Sequence, residues 1–173
     1  MKEKYHYSLR IMHWLTGIPI ILMLIMGFSM KLLANTYPIL SNIYTVHKSI
    51  GITLLLLLLL RLICRCLSVI PQYPKSFPNY LIIISKVIHA SLYIASLTMT
   101  ISGYIMSSAS GKAIHILSLN IPLLIDINKN TAIIAKQCHN ICAYMLSSII
   151  ILHILAALKH KFIDKDNIFN RIV

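Results

Sequence analysis

Three long stretches of this chain carry no Asp, Glu, Lys or Arg: between Arg10 and Lys31, between Lys86 and Lys112, and between Lys136 and Lys159. Each supplies the ~20 residues that a helix needs to cross the hydrocarbon core of a bilayer. A fourth run, Ile50 to Leu60, is shorter and bounded by Lys48 and Arg61. Long basic side chains snorkel to the interface, so Ser41 to Ile63 also spans. The pattern predicts four transmembrane helices, at about 9–31, 41–66, 80–108 and 131–161. Together they make one all-α integral membrane four-helix bundle that occupies the single domain 1–173.

The breaks between helices have their own signals. A short loop, Leu32 to Leu40, contains Asn35 and Pro38, and Ser41 is a candidate N-cap for the second helix. Pro71, Pro74 and Pro78 prevent the segment from Ser68 to Asn79 from staying helical. Residues 107–112, with Gly111, break the chain again. The apolar stretch Ala113 to Ile125 contains Asn120 and Pro122 and is too short to span; it is expected to lie in the interface or cap the bundle. No internal repeat or low-complexity linker is evident.

Composition agrees with this class. The chain is 58% hydrophobic, above the roughly half expected of a soluble domain. Its net charge of +12 would suggest nucleic acid in a soluble protein. Here the distribution decides otherwise. Eleven Lys and Arg fall on the side that carries both termini, against five (Lys31, Lys48, Lys112, Lys129 and Lys136) on the other. The positive-inside rule therefore predicts both termini in the cytoplasm, membrane lipid as the surroundings, and no nucleic-acid partner. The first apolar run is longer than a signal-peptide core, lacks a small-x-small cleavage site and carries His13, so it is read as a retained helix.

Four cysteines, Cys64, Cys66, Cys138 and Cys142, lack the C-x-x-C-H spacing of covalent haem attachment. Cys138 and Cys142 share a helical face; they are either small packing residues or, with His139, a zinc site. The former is favoured.

Histidine placement is the informative chemistry. An ionisable residue within a span is costly unless something uses it. His139 and His153 are fourteen residues apart in one helix, so they differ by only ~40° around the axis and by ~21 Å in depth. His13 shares the depth of His153, and His47 that of His139. The expected pairs are His13 with His153 and His47 with His139, each offering two imidazoles from facing helices to one metal, as an iron macrocycle requires. Gly17 follows His13 by four residues and Gly51 follows His47 by four. A missing side chain one turn from each ligand admits a flat ring against the backbone, or else a close helix–helix contact.

Arg61 and Arg65 share a face, and Arg10 precedes His13 by three residues. They are candidates for carboxylate-bearing substituents of the macrocycle, or for lipid headgroups. Lys48 and Lys112 are weaker equivalents on the other side. His89 is read as an interhelical hydrogen-bond partner or as a contact to the cofactor or a quinone. His6 and His115 fall in exposed segments. His160, beyond the last ligand, is a candidate proton donor to a quinone.

His13-Trp14 after a basic tail, His47 with Gly51, Arg61 with Arg65, and His139 with His153 resemble the bacterial dihaem cytochrome b561 family. So do Ser110-Gly111-Lys112-Ala113-Ile114, Ile121-Pro122, and the tail with His160, Lys165, Asp166, Asn167 and Arg171. The resemblance covers nearly the whole chain. It implies two non-covalent b haems on His13, His47, His139 and His153 in an inner-membrane, multi-pass bundle. It also implies electron exchange with ubiquinone near His160, and in some members superoxide oxidation. The outer loop departs from the family in having Asp126 as its only acid.

Two other classes remain open from the residues alone. A haem-bearing anchor for a partner oxidoreductase would share the ligands. A divalent-metal transporter would need oxygen or sulfur ligands, and no acidic residue lies within a span.

Overall fold

The computed structural model describes residues 4–33, 40–73, 77–116, 118–166 and 168–173. Four long helices form it: α1 (Tyr7–Leu33), α2 (Leu40–Leu67), α3 (Asn79–Ala109) and α4 (Lys129–Lys159). All four are long and apolar enough to cross a membrane. The loop residues Asn35, Pro38, Pro74 and Lys75, the side chain of Ser41, and Asn167 in the tail lie outside what is described.

The helices run alternately up and down. α1 packs on α2, α2 on α3 and α3 most extensively on α4, with α4 returning to α1. Both termini meet at one end: Tyr5 N–H donates to Arg171 O at 3.0 Å, and Trp14 Nε1 donates to Ile172 O at 3.3 Å. We call this the terminal end. The buried residues of α3 are all small, Ala95, Ser96, Ser102, Ser107, Ser108 and Ala109, which lets its neighbours approach closely. Without a water-driven hydrophobic force inside lipid, such close backbone approach is what holds helices together. Most large apolar side chains, such as Leu22, Ile25, Leu56, Ile94 and Leu152, point outward, where lipid solvates them.

At mid-depth Leu24, Ala95 and Leu146 form an apolar plug with Ile20, Phe28, Leu92 and Met99 around it. Leu146 is midway between His139 and His153 in α4, so the plug separates the two histidine levels. Leu54 and Leu58 of α2 are buried between His47 and Arg61 in the same way.

The other end carries the expected cap, in a form the sequence reading did not foresee. Residues Ile114–Ile116 (β1) and Leu119–Ile121 (β2) pair antiparallel as a short hairpin. α3 ends in a Schellman turn: Gly111 N–H donates to Ser108 O and Lys112 N–H to Ser107 O. Gly111 is in the left-handed region (φ 65°), and a Cβ there would lie 2.9 Å from Ile127. The loop is then pinned to α3. Tyr104 donates to Pro122 O and accepts from Leu124 N–H, and Ser108 exchanges both hydrogen bonds with Ile125. Asn128 caps α4 by accepting from Thr131 N–H at 3.0 Å.

The α4 boundary also differs from expectation. α-Helical hydrogen bonding stops at Lys159, and residues His160–Asp164 form a π turn that ends at left-handed Lys165. Asp166 N–H then returns to His160 O at 3.2 Å.

Candidate functional site

Two histidine pairs face each other at the two levels. At the terminal end the ring centres of His13 (α1) and His153 (α4) are 6.3 Å apart. At the hairpin end His47 (α2) and His139 (α4) are 6.4 Å apart. Metal–imidazole bonds run at ~2.0 Å and a ring centre lies ~1.1 Å behind its nitrogen, so two imidazoles sharing a metal from opposite sides stand roughly 6 Å apart. Both separations match that arrangement.

The hairpin-end pair opens on a pocket lined among others by His47, His139, Gly51, Gly103, Met99 and Ile114. His139 Nδ1 is 2.8 Å from Met99 O. A carbonyl only accepts, so the proton sits on Nδ1 and the other ring nitrogen keeps its lone pair. Ser102 Oγ, which donates to the same carbonyl at 2.9 Å, braces it. His47 Nδ1 is buried with no hydrogen-bond partner. Buried polar atoms are rarely left unpaired, so such an atom marks a site shaped for something else.

Glycines make room on each side. A Cβ on Gly17 would meet nothing within 4 Å, so Gly17 is not a close helix–helix contact. Gly51 approaches only Met23, at 3.8 Å. Two further glycines escaped the sequence reading. Gly27 faces His47 at 3.6 Å, and Gly103 faces His139 so closely that a Cβ would lie 3.0 Å from its Cε1. They belong to helices other than those of the histidines they face, and the spacing in one helix carries no signal of that register.

The terminal-end pair sits in a more polar frame. Arg61 donates to Thr16 Oγ1 at 2.8 Å and contacts His13 Nδ1 at 3.1 Å. Its guanidinium lies 5.2 Å from the Tyr93 ring centre, and that of Arg65 5.6 Å from Tyr5. Arg10 Nε is buried without a partner, a donor free to receive a carboxylate. His89 lies 5.6 Å from His153, ring to ring, and its Nδ1 is 3.4 Å from Ser85 Oγ, which bonds Tyr73 OH at 2.8 Å. The hydrogen bond of His89 thus stays within α3 instead of crossing to another helix as expected, and what crosses is the ring contact with His153 of α4.

His160 stands at the surface of the same end. Asp166 accepts from its Nδ1 at 2.7 Å, and Phe77 faces the ring at 5.8 Å. Lys159 pairs with Asp164 at 2.6 Å. The exposed segments hold one surprise: His115 is half-buried, not simply solvated, and bonds Asn120 at 2.7 Å. All four cysteines are free. Cys142 is buried and Cys138 beside it half-buried, as packing residues would be.

The fold and these residues define a class: a membrane-embedded helical bundle with opposed imidazoles at two depths. Comparison with known proteins agrees. The family model for prokaryotic cytochrome b561 matches residues 4–173, and the chain belongs to that family. It is 30% identical over 172 residues to cytochrome b561 homolog 2 of Escherichia coli K12, covering 99% of this chain and 92% of the relative. It is 26% identical over 166 residues to cytochrome b561 homolog 1 of the same organism, covering 94% and 92%. The chain is thus a multi-pass membrane b-type cytochrome, it binds haem b, and it works in electron transfer among lipid and small redox partners.

Proposed function

We propose that this protein is a single-domain dihaem cytochrome that carries electrons across the inner membrane to ubiquinone, with both termini in the cytoplasm. His13 and His153 hold one haem and His47 and His139 the other. The observation that carries this reading is the pairing itself: two histidine couples at separations of 6.3 and 6.4 Å, on opposite sides of an apolar plug.

When bound, the haems supply one-electron chemistry, the iron cycling between ferric and ferrous. The chain does the rest. Met99 O fixes the His139 tautomer so that the ring presents a lone pair inward. Leu24, Ala95 and Leu146 keep water from the space between the two levels. Arg10, Arg61 and Arg65 gather positive charge at the terminal end, where the carboxylates of the macrocycle find partners.

His160 serves the quinone. Asp166 takes the Nδ1 hydrogen and fixes the ring, leaving its other nitrogen to hold or give a proton. Tyr73 and Phe77, stacked at 5.6 Å, offer a flat apolar wall beside it. Reduction of a quinone takes two electrons and two protons. Two superoxide ions supply the electrons and leave as two molecules of dioxygen; Lys48 and Lys112 at the hairpin end favour the approach of such an anion.

An anchor for a partner enzyme would share the ligands but would not reduce quinone by itself. A metal transporter is disfavoured because none of the four helices contains an Asp or Glu.

The test is to replace each histidine by alanine and count haem per purified chain. His13→Ala or His153→Ala is expected to lose one haem, and His47→Ala or His139→Ala the other. His89→Ala should keep both with a shifted spectrum. A variant of the first four that retains two unaltered haems removes that residue from the ligand set.

A further inference from the structure

We propose that Tyr73 is the second proton donor of the quinone site, giving its phenol hydrogen to one carbonyl oxygen while His160 serves the other. This rests on the reading that His160 acts on a quinone, and it names the residue at the opposite end of that substrate.

A quinone carries two carbonyls on opposite sides of one flat ring, and each oxygen gains a hydrogen on reduction. One imidazole cannot reach both. The oxygens are ~5 Å apart and each hydrogen bond adds ~2.8 Å, so two donors that grip the ring stand at most about 11 Å apart. Tyr73 meets that condition. The Phe77 ring centre is 5.6 Å from that of Tyr73 and 5.8 Å from that of His160, so the outer two rings are no more than about 11 Å apart. Tyr73 and Phe77 are inclined by only 24°. Nearly parallel rings touch at ~3.5–4 Å, so a separation of 5.6 Å means that they are offset and each keeps part of a face bare. A quinone ring has an aromatic surface to lie on, with a polar hydrogen at each end.

The phenol is also aimed. Tyr73 belongs to the loop between α2 and α3, and its hydroxyl is 2.8 Å from Ser85 Oγ of α3. Ser85 Oγ is in turn 3.4 Å from His89 Nδ1. Hydrogens passed in one direction, His89 Nδ1–H to Ser85 and Ser85 O–H to Tyr73, leave the phenol hydrogen free to point at a ligand. Tyr73, Phe77 and His160 are all half-buried, so a ligand and water both reach them.

Two electrons arrive by way of the haems. The Tyr73 O–H bond breaks as an O–H bond forms on the reduced carbonyl oxygen, a stronger base than a phenolate, and water returns a proton to Tyr73. His160 does the same at the other oxygen through its free ring nitrogen.

Two measurements on the purified holoprotein test this: the infrared bands of bound ubiquinone, isotope-labelled at its carbonyls, and the rate at which that quinone oxidises the reduced protein. In the wild type both carbonyl bands should fall below those of free quinone. His160→Ala should release one band and Tyr73→Phe the other. Tyr73→Phe should also slow quinone reduction about tenfold or more, with haem content unchanged. Ser85→Ala breaks the same loop contact but keeps the phenol. It should keep both bands low and lose less than about threefold in rate. Equal losses in Tyr73→Phe and Ser85→Ala would mean that the bond only pins the loop, and would overturn the inference. So would wild-type bands and rate in Tyr73→Phe where His160→Ala has lost a band. A wild type that leaves quinone unreduced, or a His160→Ala protein with both bands unmoved, defeats the earlier reading and the inference with it.

Discussion

A histidine ligand needs more than its own two nitrogens. His139 is fixed by Met99 O and stands against Gly103 one turn further along α3, where a Cβ would lie 3.0 Å from Cε1 and 3.2 Å from Nδ1. Gly103→Val should push the ring off its carbonyl. The expected result is loss of the haem on His47 and His139 with the other retained, read from the absorption spectrum per chain. Retention of both haems would show that the ring has more freedom than this geometry allows. Gly17 offers the contrast, because nothing lies within 4 Å of its Cβ position.

Much of this scale was legible in the sequence. The four histidines, Gly17, Gly51, Arg10, Arg61 and Arg65 follow from spacing within single helices, which fixes shared faces and depths. Thr16, Tyr93, Met99, Gly27 and Gly103 were not legible, since each acts across a helix pair. A backbone carbonyl, moreover, has no residue type to betray it.

Among the elements, the hairpin-end loop is the least expected. Hydropathy placed 113–125 at the interface but could not show that Ile114–Ile116 and Leu119–Ile121 pair, because three-residue strands are too short to show alternation. What holds the loop is polar. Tyr104 gives one hydrogen bond and receives another, at 2.8 and 3.0 Å, next to the cavity that His47 and His139 line. Tyr104→Phe should cost roughly 1–2 kcal/mol of local stability, about 1 kcal/mol for each bond. Faster amide exchange across 119–125, with little change in the four helices, would register it. Unchanged exchange would mean that the Ser108–Ile125 pair suffices to hold the loop.

The helix boundaries moved by one or two residues. α4 moved for a chemical reason: the π turn at His160–Asp164 and left-handed Lys165 bring Asp166 back onto His160. No periodicity announces such a turn.

For the molecule as a whole, the up-and-down path puts both termini, the end of α2 and the end of α4 together. The uneven count of basic residues predicts that this end faces the cytoplasm. Cys66 is exposed there, near the end of α2. A membrane-impermeant maleimide should label Cys66 in inside-out vesicles and not in right-side-out ones. The reverse pattern would invert the orientation and with it the proposed direction of electron flow.

The central claim concerns two macrocycles held on two levels of one bundle, and its most direct test is stoichiometric. Purified chain, expressed with ample porphyrin supply, should yield two b haems per polypeptide by pyridine haemochrome assay, with iron in the same ratio. One haem per chain, or a colourless protein that carries zinc in place of iron, would contradict the account.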